Sequence, residues 1–351
     1  MFAALPVWSI LIGHVGYMQE GRRGLTTELA AVMTFGIGAM VITGPLELAV
    51  ALGVTTAAIL HFKPQLHAIA DRTGSKDIFA MLQFGLVAFV ILPVLPNETY
   101  GPFDVLNPHN VWLMVVLVSG INLVGYVALK LIGSRYGGVI SGLLGGMVSS
   151  TATTFSFSRR AHDAEGFSFP AALAIILASA VAVPRMAVEI GVVNSSFLTD
   201  AWLPLLIIFA ASTAPFVVLW FTSEGRSEGE APEVRNPVQI GSALIFGLLY
   251  GVVTLGLTAA EHYYGEAGTY AVSFISGLTD VDAITLSTAR LVAEERIEAA
   301  QATDVIVIAY LSNMLFKGGL AAFVGSRRLA KIIAISFGFT LVAGVLVIVL
   351  L

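Results

Sequence analysis

Long apolar runs separated by short polar loops follow one another along the chain, and this pattern predicts membrane-spanning helices. A helix needs about 20 apolar residues to cross the hydrocarbon layer of a bilayer. We count about ten to twelve hydrophobic segments, which predicts an all-α polytopic membrane protein. They include residues 2–18, 78–95, 110–132, 169–193, 201–221, 238–259, 304–324 and 330–351, and the segments 169–193 and 201–221 are strong spans.

Two other apolar segments are interrupted by polar residues. Residues 137–158 are crowded with glycine, serine and threonine, and residues 267–292 carry Asp280 and Asp282 near their middle. A carboxylate in the centre of a bilayer costs on the order of 3 kcal/mol, so it is retained where water, a cation or a partner meets it. The second segment is therefore a candidate functional site.

The two polar segments match each other. They share glycine, alanine, threonine, serine and arginine at a constant offset of 131 residues (277 − 146 and 290 − 159). In the helix that follows each segment, Arg185 corresponds to Lys317. The chain thus contains two copies of one unit, a helix, a polar segment and a helix with an embedded basic residue. The matched stretches are Gly146-Met-Val-Ser149-Ser-Thr151-Ala-Thr-Thr-Phe-Ser-Phe-Ser-Arg159 and Gly277-Leu-Thr-Asp280-Val-Asp282-Ala-Ile-Thr-Leu-Ser-Thr-Ala-Arg290.

Loop charges bear on the topology of these copies. Each polar segment has about 20 residues, which is enough to span. If both segments instead dip into the bilayer and return, most lysines and arginines fall on one side, and the other side keeps chiefly Arg290 and Arg296. The positive-inside rule favours this second arrangement. With the helix of residues 201–221 between the units, two broken or re-entrant segments make the repeat inverted.

Composition excludes several classes of protein. Of the 351 residues, 57% are hydrophobic and 12% charged, with a mean hydropathy of +0.88, so the chain is not a soluble domain. The absence of cysteine excludes disulfides and thiolate metal sites. A net charge of −5 offers no basic footprint for nucleic acid. The expected partners are the lipid bilayer, a small ion and a homo-oligomer, with no nucleic acid.

The paired aspartates allow two interpretations. If the backbone unwinds at residues 276–279, Asp280 and Asp282 converge, and with Thr279 and the opposing Ser149 and Thr151 they supply oxygen ligands for a hard cation such as Mg2+, or a proton relay. Alternatively, the aspartates cap a half-helix or pair with basic residues of the neighbouring spans. The first interpretation makes Asp280 and Asp282 the metal ligands.

Basic residues in the flanking spans are candidate gating or charge-compensating groups. Arg185 and Glu189 lie four residues apart, a spacing that allows an ion pair within one helix. Lys317, one turn after Asn313, has no acid nearby in its own helix, and the repeat places Asp280 or Asp282 closest to it. The hydroxyl-rich stretch at Ser149 has no neighbouring histidine or lysine base, so we expect neither an enzyme nor a cofactor.

Several short motifs are distributed along the chain: Gly24-Leu-Thr-Thr-Glu28-Leu-Ala30, Lys63-Pro-Gln-Leu-His67, Leu95-Pro-Asn-Glu-Thr-Tyr-Gly101-Pro102, Asn107-Pro108, Gly142-Leu-Leu-Gly-Gly-Met-Val-Ser-Ser-Thr151-Ala-Thr153 and Asp280-Val-Asp282-Ala-Ile-Thr-Leu-Ser-Thr-Ala289. Together they resemble one known family, the MgtC/SapB-type bacterial and archaeal membrane proteins that carry a C-terminal domain of unknown function, numbered four thousand and ten. The resemblance covers nearly the whole chain.

The resemblance implies a role in magnesium transport or magnesium homeostasis. It also implies that the protein is a multi-pass protein of the plasma membrane of a bacterium or archaeon. Such proteins usually begin with further helices bearing an Arg/Gly-rich signature, so the MgtC part here is expected to be truncated. Our leading hypothesis is a transporter or channel-like carrier of a small ion, a divalent cation such as Mg2+, with a midplane site at the repeat interface. The alternative is a non-transporting membrane scaffold or regulator of ion homeostasis.

These observations divide the chain into five parts. They are an MgtC-like helical remnant (residues 1–62) containing a helical hairpin about Gly44-Pro45, a connecting surface segment with a helix and a loop (63–104), the first repeat unit with the extra helix (105–222), a polar linker (223–236), and the second repeat unit with a terminal helix (237–351).

Overall fold

The computed structural model describes residues 25–44, 46–61, 75–132, 137–164, 166–222 and 240–351, and these residues are almost entirely helical. Two units of the chain are distinguished, Met1–Ile78 and Phe79–Leu351. In the described part of the first unit, α1 (Leu25–Thr43) and α2 (Leu46–His61) form the predicted hairpin, and a methyl group placed on Gly53 would lie 3.8 Å from Ile37 Cγ2. Residues 2–18, an apolar run, and Pro45 lie outside the described residues.

The second unit contains the repeat. It begins within α3 (Ser75–Gly85), which continues as a π-helical segment (Leu86–Ile91) and a 3-10 turn (Leu92–Val94). Six helical stretches of its described part are long and apolar enough to cross a membrane, so the protein is a multi-pass α-helical membrane protein. The remaining helices are α4 (Pro108–Ile132), α5 (Gly137–Asp163), α6 (Ser168–Ala180), α7 (Ala182–Val193), α8 (Ser195–Thr222), α9 (Ile240–Thr279), α10 (Val281–Ala293), α11 (Ala299–Val324) and α12 (Arg327–Leu350).

Both polar segments are broken at equivalent residues. Within α5, Ser149 is extended (φ −165°, ψ 104°), and Asp280, 131 residues later, is extended between α9 and α10 (φ −152°, ψ 131°). Each residue caps the half-helix that follows it: the Ala152 amide donates to Ser149 Oγ at 3.2 Å, and the Asp282 amide donates to Asp280 Oδ1 at 2.8 Å. The expected unwinding at residues 276–279 is wrong, since α9 stays helical through Thr279 and Asp280 alone departs.

The helix α5 turns back on itself at its break. A methyl group placed on Gly145 would lie 2.7 Å from Thr153 Oγ1, although residues eight apart in a straight helix are separated by about 12 Å. The turn in α9 is at Gly265 (φ 60°), because a methyl group placed on Gly256 would lie 3.6 Å from Val272 Cγ1. Residues 240–264 and 266–279 of α9 are therefore antiparallel.

The first half of each broken segment runs parallel to the span that follows it. Methyl groups placed on Gly142 and Gly146 would approach Ala174 Cα and Ala178 Cα to 2.5 Å each, so both numbers rise together. In the second copy, Gly277 contacts Ala309 and the Ser273 hydroxyl donates to the Val305 carbonyl, each 131 residues later. The second halves return within a few residues to the starts of α6 and α11. Both segments are thus re-entrant hairpins, as the loop charges predict.

The two copies are inverted. The equivalent spans α6 and α11 touch where Tyr310 Oη donates to the Ser179 carbonyl at 3.2 Å. At the start of α6, the Ser168 hydroxyl lies 2.7 Å from the hydroxyl of Ser326, which follows the end of α11. From the first contact to the second, the residue number falls from 179 to 168 on one side and rises from 310 to 326 on the other, so the spans are antiparallel. Ser179 and Tyr310 are themselves 131 residues apart, which places them beside the pseudo-twofold axis.

This inversion defines two faces of the protein. The Ser168 face is where α6 begins and α11 ends, and the Ala299 face is where α7 ends and α11 begins. The first hairpin enters from the Ser168 face and the second from the Ala299 face. Within the described part, the helix ends and loops at the Ser168 face carry Arg159, Arg160, Arg327, Arg328 and Lys331, whereas those at the Ala299 face carry Arg290 and Arg296 beside Glu261, Glu266, Glu294, Glu295 and Glu298.

A labelling experiment tests the inversion in a chain that has no cysteine of its own. Arg160→Cys and Arg328→Cys are expected to react with a membrane-impermeant maleimide from one side of the membrane, the cytoplasmic side by the positive-inside rule. Glu298→Cys is expected to react from the opposite side. Labelling of the two arginine positions from different sides would show that the polar segments span and that the repeat is not inverted.

Close contact between backbones holds the second hairpin against α11. A methyl group on Gly277 would lie 2.6 Å from Ala309 Cα, so we expect Gly277→Ala to destabilise the protein by about 1–3 kcal/mol through overpacking. A methyl group placed on Gly319 of α11 would have no atom within 4 Å, so Gly319→Ala is the matched control. Unfolding in detergent measures both variants, and equal stability of the two would contradict this packing.

Candidate functional site

The tips of the two hairpins meet at a cavity of about 840 Å³ inside the second unit. Its lining brings together all five residues proposed as ligands, Ser149 and Thr151 from the first tip with Thr279, Asp280 and Asp282 from the second. Arg185 and Asn313, proposed as charge-compensating or gating residues, line it as well. The fold therefore assembles the residues singled out by sequence, while ion binding by them stays a prediction.

Asp282 is paired with a base. Its Oδ1 accepts a hydrogen bond from Arg185 Nη2 at 2.6 Å, and the two side chains are only 7% and 11% exposed. Arg185 Nη1 also donates to the Met147 carbonyl at 3.4 Å, a carbonyl just before the Ser149 break. This arginine thus joins the tip of the first hairpin to that of the second.

Asp280 has a different environment. One carboxylate oxygen caps α10, and the side chain lines the cavity without forming an ion pair to any residue that the structure describes. It is close enough to interact electrostatically with Arg185, Asp282 and Lys317. Both aspartates line the cavity, and Asp280 is the one that has no ion pair among the described residues.

Two further ionisable residues lie behind the cavity wall. Glu189 is fully buried, 3.8 Å from Arg185 Nε, which is the predicted pairing four residues apart. Lys317 is also fully buried. Neither Lys317 Nζ nor the two Glu189 carboxylate oxygens have a hydrogen-bond partner among the described residues. With Asp280, Asp282 and Arg185 they complete a cluster of three acids and two bases, which carries one net negative charge when all five are ionised.

Amide side chains support the cavity from two sides. Asn313 donates to the Gly277 carbonyl at 2.9 Å and so anchors the second hairpin tip to α11. Asn122 of α4 lines the cavity, and its Oδ1 is buried without a hydrogen bond in the described part of the chain. Sequence reasoning missed Asn122, although an amide inside the apolar run of residues 110–132 is a detectable signal.

The cavity extends from the tips toward the Ser168 face. Its lining includes Ser156, in the returning half of the first hairpin, and Ser242, near the start of α9, both on that side. Beyond Asp282, the returning half of the second hairpin contributes no lining residue. Phe155 is 44% exposed, whereas the residue 131 positions later, Leu286, is fully buried. The two equivalent hairpins are therefore packed unequally, and the second seals the cavity from the Ala299 face.

Comparison with known proteins identifies relatives without a described activity. A family model described as "Domain of unknown function (DUF4010)" matches residues 116–325, which include both hairpins. An uncharacterised protein of Aquifex aeolicus (strain VF5) is 32% identical over 192 residues, which are 54% of this chain and 84% of that protein. No solved structure matches.

Proposed function

We propose that this chain, which belongs to the family of the domain of unknown function DUF4010, is a secondary carrier of a small cation. The observation that carries the proposal is the meeting of two inverted re-entrant hairpins at a cavity that is lined in part by hydroxyl, amide and charged side chains. Irregular backbone at membrane depth is tolerated where it is buried or lines a water-filled cavity. Inverted repeats with broken helices at the midplane are an architecture of secondary transporters.

Asp280 is the proposed cation ligand of this carrier. It lines the cavity, and its charge is not consumed by an ion pair within the described residues. Hydroxyl oxygens of Ser149, Thr151 and Thr279 and the amide oxygen of Asn122 surround the same space and supply neutral ligands. Asp282, in contrast, holds Arg185, so we assign it to the structure of the site rather than to the ion.

Charge balance bears on which cation is carried. The resemblance to MgtC/SapB-type proteins makes Mg2+ a candidate substrate. Mg2+ requires octahedral oxygen coordination, and one free carboxylate beside two cationic side chains is a poor match for a divalent ion. Among the described residues no group of three or more His, Cys, Asp or Glu side chains is placed to hold a metal. The single net negative charge of the cluster favours a monovalent cation or a proton.

A scaffold without transport activity is the second candidate function. The pairing of Asp282 with Arg185 and the capping of α10 by Asp280 favour it, since these contacts give both aspartates a structural role. A scaffold, however, has no need of an 840 Å³ polar cavity beside those aspartates. We propose that the carrier resides in the plasma membrane of a bacterium or archaeon with its Ser168 face, and the open side of the cavity, toward the cytoplasm.

Uptake into proteoliposomes tests the proposal. The purified chain is reconstituted, and entry of Na+, K+ and Mg2+ and of protons is followed against liposomes lacking protein. A carrier is expected to move at least one monovalent cation or proton faster than the protein-free vesicles do. If entry of all four matches the protein-free vesicles while the protein is folded and inserted, the carrier proposal fails and the scaffold stands.

A further inference from the structure

Lys317 is a buried cation with no hydrogen-bond partner among the described residues. It lies on α11, one turn after Asn313, which anchors the second hairpin tip, and its side chain is fully buried. The proposed ligand set does not use it, and it does not line the cavity. A buried ammonium without hydrogen bonds is costly in free energy. We therefore expect Lys317 to contribute to the charge balance of the site.

The charged neighbours of Lys317 are those of the cavity. Asp280, Asp282 and Arg185 are all close enough to interact with it electrostatically. Other charged residues on the described elements packed against α11 lie toward the two faces, as Glu261 and Glu266 of α9 and Arg327 and Arg328 of α12 do. Inside a low-dielectric interior, a fixed charge influences a neighbouring ion site much more strongly than in water.

We propose that Lys317 is a specificity-determining residue that restricts the site to singly charged cations. This inference rests on the proposed function, because it concerns the selectivity of the same carrier. With all five side chains ionised, the ammonium cancels one of the acid charges, so that a monovalent cation at Asp280 leaves the cluster balanced and a divalent cation leaves it with excess positive charge. Substitution of Lys317 by a neutral side chain makes the cluster one unit more negative, whatever the protonation of Glu189.

The charge-removing variant is Lys317→Met, and the charge-preserving variant is Lys317→Arg. Methionine resembles lysine in length and packs readily in apolar surroundings, so it removes the charge with little change of volume. Lys331→Met, at an exposed position of α12, removes the same charge far from the cavity and serves as the matched control. Each variant is reconstituted, and uptake of Na+, K+ and Mg2+ is measured in parallel.

The ratio of Mg2+ uptake to monovalent uptake is the readout, because a merely structural role of Lys317 would lower all rates without changing the ratio. We expect this ratio to rise about tenfold or more in Lys317→Met and to stay at the wild-type value in Lys317→Arg and Lys331→Met. An unchanged ratio in Lys317→Met, with transport of monovalent cations retained, would overturn the assignment and leave the carrier intact. Loss of all uptake only in Lys317→Met, with Lys317→Arg active, would also overturn it. Absence of uptake in the wild type would instead contradict the proposed function.

Discussion

Substitution of Arg185 by methionine is expected to destabilise the protein by about 3–5 kcal/mol. The variant leaves the Asp282 carboxylate, now bonded at 2.6 Å, without its partner, and it removes the cation 3.8 Å from the fully buried Glu189. An uncompensated charge in the interior costs its full desolvation free energy, which exceeds the value of an ordinary surface pair several-fold. Equilibrium unfolding in mixed detergent micelles measures the loss.

Two further variants separate this explanation from a simple loss of packing. The triple variant Arg185→Met, Asp282→Asn, Glu189→Gln removes the stranded charges and is expected to recover most of the lost stability. Arg290→Met breaks an ion pair in which the side chains are 35% and 29% exposed, and it is expected to cost under about 1 kcal/mol. If the triple variant is as unstable as the single one, the buried charges are not the cause.

Substitution of Asp280 by asparagine is expected to reduce cation uptake about tenfold or more in the proteoliposome assay. Asparagine caps a helix about as well as aspartate, so the variant keeps the hydrogen bond to the Asp282 amide and removes the negative charge alone. Stability is therefore expected to change little while transport is lost. This combination distinguishes the ion ligand from the structural cap.

Matched aspartate variants sharpen this comparison. Asp163→Asn, at the exposed end of α5, removes one carboxylate far from the hairpin tips and is expected to transport normally. Asp282→Asn strands Arg185 inside the protein and is expected to lose stability as well as transport. Normal uptake by Asp280→Asn, and by the double variant with Asp282→Asn, would remove both aspartates from the transport mechanism.

Much of the fold follows from the sequence because membrane insertion is governed by local composition. Apolar runs of about 20 residues determine which segments span, and loop charges indicate their orientation. The constant offset of 131 residues, from Gly146 to Gly277 and from Arg159 to Arg290, identifies the repeat. The same offset recurs in the contacts of Gly146 with Ala178 and Gly277 with Ala309, so one packing solution is used twice.

The candidate site was predicted less completely, because side-chain partners depend on distances that sequence does not contain. The alignment of the two repeat units predicted that Ser149 and Thr151 lie opposite Asp280, and the structure places all three around one cavity. Asn122 has no equivalent polar residue in the second copy, so symmetry could not indicate it. Each break is also shorter than glycine-rich sequence suggests, since a single extended residue with its own cap suffices.

By itself the sequence determined that this protein is a multi-pass helical membrane protein with an internal repeat and two polar interruptions, because hydropathy and periodicity are local properties. Tertiary structure established the folding back of the interruptions and the antiparallel copies that the loop charges had favoured, and it alone decided which acid is paired. Asp280 and Asp282 are two residues apart and chemically identical, yet Arg185 reaches only Asp282. The difference arises because α7 and α10 come from different repeat units. Only the packing of these two helices determines which carboxylate pairs with the guanidinium and which has no ion pair.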